Sequence, residues 1–132
     1  LPAETAGSRV AVMTDYETLK ENREFHRAYS RGKHYVSPTL VSYAVKNRRH
    51  VVRVGITTGK KTGNAVRRNR SRRVIREAFR PLAVSVKPGY DIVFVARART
   101  PFAKSGDIRR VMESHLRSAG LLETEARGTG RP

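Results

Sequence analysis

The period of the hydrophobic positions changes several times along the chain, and each change marks an element. Phe25, Ala28 and Tyr29 share one face at helical spacing, Asn22 is a good cap, Glu24 suits the first turn and Gly32 is a good stop. A short first helix is predicted there. Between Lys33 and Thr58 the period falls to two. Tyr35 and Val36 predict a short strand interrupted at Pro38, and Thr39 to Lys46 sets Leu40, Ser42 and Ala44 against Val41, Tyr43 and Val45. After a basic turn at Asn47 to His50, Val52, Val54 and Ile56 face one way and Arg53, Gly55 and Thr57 the other. The segments Thr39 to Lys46 and Val51 to Thr58 are therefore expected to form a hairpin with one buried and one wetter side.

Helical spacing returns after Gly63 and Asn64, which suit a turn and an N-cap, and nothing breaks it before Pro81. Val74, Ile75, Ala78, Phe79 and Leu82 form its buried stripe, while Asn69, Arg73, Arg76 and Arg80 fall on a separate one. Pro88-Gly89 marks a turn. The run Asp91 to Arg97 is apolar on both faces, as a covered interior strand is. Thr100-Pro101 or Ser105 opens a last helix whose stripe is Ile108, Val111, Met112, His115, Leu116 and Ala119, stopped at Gly120; Met112 and His115 are read as packing. The order is α-β-β-β-α-β-α, an α+β sandwich in which a four-stranded sheet carries the two longer helices. Residues 1–18 are expected to be a flexible leader, with Met13 a candidate natural start, residues 19–122 one domain, and residues 123–132 a flexible tail.

Charge decides what kind of partner such a domain meets. The formal net charge is +17, and from Phe25 to Arg76 there are fifteen Lys or Arg residues and no Asp or Glu. The long helix holds Arg67, Arg68, Arg70, Arg72, Arg73 and Arg76 against Glu77 alone. Like charges one turn apart repel, so a polyanion is the natural reason to tolerate them, and the planar guanidinium suits bidentate phosphate contacts and base stacking. Tyr43, on a strand followed by arginines, either stacks on a base or fills the sheet-helix core with its hydroxyl at the surface.

Other chemistries lack their residues. There is no cysteine, which excludes disulfides and Cys-type zinc sites, and no apolar run approaches the roughly 20 residues that span a bilayer. No membrane partner is expected. Paired carboxylates are absent from the basic segment, and His26, His34, His50 and His115 are scattered without metal-ligand spacing. Gly59 to Gly63 lacks the spacing of a nucleotide-binding loop. No catalytic or metal-binding residue is assigned to the chain.

The twenty positions from Lys60 to Phe79, with Arg68-Asn69-Arg70 at their centre, closely resemble the signature of the bacterial ribonuclease P protein subunit, a resemblance that spans about Leu19 to Leu122. It implies a sandwich similar to the second domain of a small-subunit ribosomal protein. Its βαβ crossover would be left-handed, where general rules give a right-handed one. It also implies the role of accessory protein to an RNA enzyme: the ribonuclease P RNA, using magnesium ions held mainly by that RNA, removes the 5′ leader of precursor tRNA in the cytoplasm, with one protein per RNA. By family analogy Lys60, Lys61, Asn64, Arg67, Arg68, Asn69, Arg70, Arg72, Arg73 and Arg76 bind the catalytic RNA. Phe25, Tyr29, Val41 and Tyr43 form the cleft for the single-stranded leader. Tyr29 stands where many relatives have Phe, and Thr58-Gly59 where a Val-Ser pair is common. The rival is a ribosomal or other structured-RNA-binding protein. A DNA-binding helix is disfavoured because no helix-turn-helix partner precedes it.

Overall fold

The computed structural model describes residues 16–122. The leader up to residue 15, Met13 included, and the tail 123–132 lie outside the described residues.

The apolar run after Tyr90 dictates the sheet. Five strands form, β1 (Tyr16–Thr18), β2 (Lys33–Ser37), β3 (Leu40–Lys46), β4 (Val52–Thr57) and β5 (Tyr90–Ala96), in the order β1-β4-β5-β3-β2. Ile92, Val93 and Phe94 of β5 are fully buried, which requires a strand on each side and a helix on each face. β5 accordingly lies between β4, to which it is parallel, and β3, to which it is antiparallel.

Two expectations are corrected here. The segments expected to form a hairpin, β3 and β4, are separated by β5; the hairpin is β2–β3, turned at Pro38-Thr39 with Ser37 opposite Leu40. Period-two patterns assign faces but not neighbours, and the two-sided burial of β5 outweighs the short β3–β4 connection. The sheet also has five strands rather than four, because residues 16–18, assigned to the leader, pair in parallel with β4, Tyr16 opposite Val52. Leu19 N–H continues the ladder to the Val54 carbonyl at 2.9 Å. Three residues are too few to show a period.

Three helices cover the two faces. α1 (Asn22–Arg31) is capped by Glu21 rather than Asn22: Glu21 and Glu24 satisfy each other's backbone amides in a capping box. Gly32 ends it with extended backbone, so its need for glycine is spatial; a Cβ there would stand 2.5 Å from the Ala28 carbonyl oxygen and 2.8 Å from that of Ala44. α2 (Ala65–Phe79) starts as its sequence indicates, with Gly63 at φ +123° and Asn64 Oδ1 accepting from Arg67 N–H at 3.0 Å. Pro81 enters a 3₁₀ turn, Arg80–Ser85, that ends α2, and α3 (Ser105–Ser118) follows a separate 3₁₀ turn at Thr100–Phe102.

α2 and α3 pack on one face. Their Ile75, Phe79, Ile108, Met112 and Leu116 join Leu40, Val54, Ile92 and Phe94 of the sheet in the main core. α1 lies on the opposite face, over a smaller cluster of Leu19, Ala28 and Val93. It is too short to cover that face, so Tyr43 and Val95 stay half-buried beside it.

His115 is buried between the α3 and β3 layers, with Nδ1 2.7 Å from Ser42 Oγ and Nε2 2.8 Å from Ser37 Oγ. Burial lowers its pKa below the ordinary histidine value. The unfolded chain therefore binds the extra proton first, so this contribution to stability is complete above about pH 6.5 and is lost as pH falls below it. Thermal unfolding should show a midpoint that drops between about pH 7.5 and 5.5, and His115→Asn should flatten that part of the profile.

Candidate nucleic-acid interface

α2 supports the cation face because its buried stripe is narrow. Ser71, Val74, Ile75, Ala78 and Phe79 turn inward, and Asn69, Arg73 and Arg76 lie exposed on the opposite side. The remaining arginines fan out between these limits. Arg72 leans toward the α1 side and donates to Asn69 Oδ1 at 3.1 Å. Arg70 donates Nε–H to the Pro101 carbonyl, and Arg67 lies over the Phe102 ring at 5.1 Å. Arg68, half-buried, donates to the Gly63 carbonyl at 2.8 Å and so closes the turn before the helix. Lys60 and Lys61 are exposed in a 3₁₀ turn beside the exposed Asn64. Among the described residues no carboxylate pairs with any arginine of α2; the ion pairs are made by Arg23, Arg27, Arg49, Arg53 and Arg110.

Phe25, Tyr29, Val41 and Tyr43 all lie on the α1 face of the sheet, but in two hollows rather than one. Val41 and Tyr43 line a wide depression of about 1030 Å³ together with His34, Val95, Lys61 and Arg97. Phe25 and Tyr29 line a second hollow with His26, Thr57, Thr58 and Arg72. The Tyr29 and Tyr43 rings join the two, meeting edge to face at 5.0 Å, and Tyr29 Oη is fixed by Thr57 Oγ1 at 2.7 Å. Phe25 sits directly on Gly55, where a Cβ would come within 2.5 Å of its ring.

Three contributors escaped the sequence reading. His34 stacks at 5.7 Å on Tyr43, its partner across the β2–β3 ladder, and Arg97 and Arg99 stand at the rim of the depression. The place of Arg97 and Arg99 depends on β5 lying beside β3, which periodicity did not give, and that of His34 on the β2–β3 pairing. The third is an ion network under the N-terminal end of α1. Arg53 on β4 donates to the wholly buried Asp91 of β5 at 2.8 and 2.9 Å and to Glu24 of α1 at 2.6 Å; Asn47 Nδ2 also donates to Asp91, at 2.8 Å. A lone acid in an apolar strand was the signal for it. Burial works to raise the Glu24 carboxyl, but the Glu21 and Lys20 amides and the Arg53 guanidinium outweigh it and hold its pKa below the usual range. The hydrogen bond to Asp91 is foremost in raising that of Arg53.

Among the described residues no three His, Asp or Glu side chains converge as metal ligands would. No helix among them is long and apolar enough to cross a membrane.

The family model described as Ribonuclease P matches residues 13–120. The chain belongs to the ribonuclease P protein family. The ribonuclease P protein component of Clostridioides difficile (strain 630) is 42% identical over 104 residues, covering 78% of this chain and 91% of the relative. That of Clostridium novyi (strain NT) is 40% identical over 111 residues, covering 83% and 98%. Among solved structures, the Staphylococcus aureus RNase P protein superposes with a TM-score of 0.70 at 31% identity, covering 80% of this chain and 96% of that one. The Thermotoga maritima RNase P protein gives 0.67 at 28%, covering 76% and 96%. A ribonuclease P protein is the accessory protein subunit of a tRNA-processing endoribonuclease, a metal-dependent ribonucleoprotein, so an RNA partner follows from family membership. The ribosomal alternative is not favoured.

Arg53→Met would leave Asp91 buried beside Asn47 with only the more distant Arg27, 3.7 Å away, as a counter-charge. Urea unfolding should show a loss of about 3 kcal/mol, at the lower end of what breaking a buried pair costs.

Proposed function

We propose that the exposed side of α2 binds the catalytic RNA of ribonuclease P while the α1 face of the sheet holds the unpaired 5′ leader of precursor tRNA. The observation that carries the first half is that six arginines of one helix, Arg67, Arg68, Arg70, Arg72, Arg73 and Arg76, have no carboxylate partner among the described residues. With Lys60, Lys61, Asn64 and Asn69 they neutralise phosphates and release counterions, which lets a second polyanion approach the first. Such neutralisation lowers the bulk magnesium that two RNAs need, while the magnesium ions themselves stay with the RNA. Phe25, Tyr29, Val41 and Tyr43 offer ring faces and apolar wall to an unpaired strand, and stacking of this kind accepts any base. The complex acts in the cytoplasm with one protein per RNA.

Reconstitution tests the whole reading. The purified chain mixed with its cognate ribonuclease P RNA and a precursor tRNA at low magnesium should release the leader, and RNA alone should release much less. Cleavage by the protein alone, or no stimulation of the RNA, contradicts it. Arg73→Ala or Arg68→Ala should weaken association with the RNA and flatten the log K against log salt slope by about 0.7 to 0.9 for each phosphate no longer neutralised. Tyr43→Ala should weaken precursor binding by about fivefold or more, equivalent to one stack of roughly 1 to 3 kcal/mol, and leave mature tRNA unaffected because it has no leader.

A further inference from the structure

A cavity of about 260 Å³ lies in the seam between β1, α1 and α2, apart from the wide depression on the sheet face. Its lining is part apolar, with Phe25, Ile56, Phe79 and Tyr16, and part polar, with Thr18, Arg72 and Arg76. At its rim stand Arg72 and Arg76, one helical turn apart on α2, and neither pairs with a carboxylate among the described residues. An apolar cavity of about 150 Å³ already binds benzene, and drug-sized ligands fill about 300 to 1,000 Å³. This volume therefore suits one flat ring system rather than a chain. Two guanidiniums at the rim suit a phosphate, which the planar fork grips bidentately. The adjoining hollow shares Phe25, Ile56 and Arg72 with the cavity.

We propose that this seam binds one unstacked nucleotide, its base in the cavity beside Phe25 and Phe79 and its phosphate on Arg72 and Arg76. The inference rests on the RNA-binding reading of α2 and adds to it a pocket for a single base. The nucleotide comes either from the RNA partner or from the free mononucleotide pool.

Titrating the full-length chain with AMP, and separately with adenosine and inorganic phosphate, decides the first point. Amide shifts should concentrate at Tyr16, Phe25 and Ile56, and AMP should bind at least about tenfold more tightly than either fragment. Equal binding of phosphate and AMP, or no shifts in the seam, overturns the proposal without any variant. Thr18→Phe and Ile56→Phe each place a ring in the lining of the cavity, and neither alters charge. Each variant that keeps its native circular dichroism should lose AMP affinity about tenfold or more, and unchanged affinity in a folded variant also overturns it. Repeating the titration on the complex with ribonuclease P RNA separates the sources. If the RNA supplies the nucleotide, AMP no longer binds and Thr18→Phe weakens the complex about tenfold at an unchanged salt slope. If the free pool supplies it, AMP binds the complex as it binds the chain. Failure of the RNA-binding reading shows elsewhere, as a wild-type RNA affinity that ignores salt, and does not alter the AMP titration.

Discussion

The seating of α2 on the sheet is the interaction from which the rest follows, because α2 would not persist by itself. Its sequence sets five pairs of arginines three or four residues apart, 67/70, 68/72, 70/73, 72/76 and 73/76. At about 0.2 to 0.5 kcal/mol each, these cost on the order of 1 to 2.5 kcal/mol in a fifteen-residue helix that is marginal in water even for a neutral sequence. Against that, Val74, Ile75 and Phe79 are buried against the sheet, each contributing roughly 1.5 to 3 kcal/mol. Packing wins by a factor of a few, and it fixes which way each arginine leaves the helix. A flexible basic tail would carry the same charge without that order. Arg73 and Arg76 leave on the exposed side, so the backbone share of the ordering entropy is met during folding rather than on binding.

The elements were legible wherever the signal was local. Gly63 and Asn64 announced the start of α2, its two stripes announced its faces, and the doubly apolar run after Tyr90 announced a covered strand; all three correspond to observed structure. What failed was pairing. Alternation in β3 and β4 showed which residues share a face and was silent about which strand lies beside which, so a hairpin was expected where β5 intervenes. β1 was missed for a related reason: three residues, only Tyr16 of them half-buried, carry no period. Phe25, Tyr29, Val41 and Tyr43 lie on one side of the sheet, and their division into two hollows depends on where α1 crosses it. That crossing is a tertiary fact, set by Gly55 and Gly32 making room for Phe25 and for the β3 backbone.

The two parts of the interface draw on different physics, and the fold keeps them separable. The phosphate contacts proposed for α2 would be long-ranged and screened by salt, whereas the ring contacts proposed around Tyr29 and Tyr43 would be short-ranged and indifferent to it. Lys61 stands in the turn before α2 and also on the wall of the sheet-face depression, and Arg72 belongs both to α2 and to the hollow of Phe25. In the proposed reading these two cations sit where a strand leaving the ring surface would meet the charged helix. Charge would bring the polyanion in, and the rings would discriminate between a paired and an unpaired strand.

The position of α1 over that face is governed in part by residues outside the proposed cleft. α1 is anchored at its N-terminal end through Glu24 to Arg53, and Arg53 in turn grips the buried Asp91, which Asn47 also holds. A buried pair of this kind adds little net stability compared with an apolar replacement, since desolvation offsets most of its Coulomb gain. What it does supply is direction: a bidentate guanidinium accepts one geometry, while an oily contact accepts several. Apolar packing under α1 is thin, with Leu19, Ala28 and Val93 as its buried cluster, so packing alone would let the helix slide across the sheet. The network blocks that slide at one end and the Tyr29–Thr57 hydrogen bond blocks it at the other. Between those two pins the Phe25 and Tyr29 rings are held above β4, as the proposed stacking role would require.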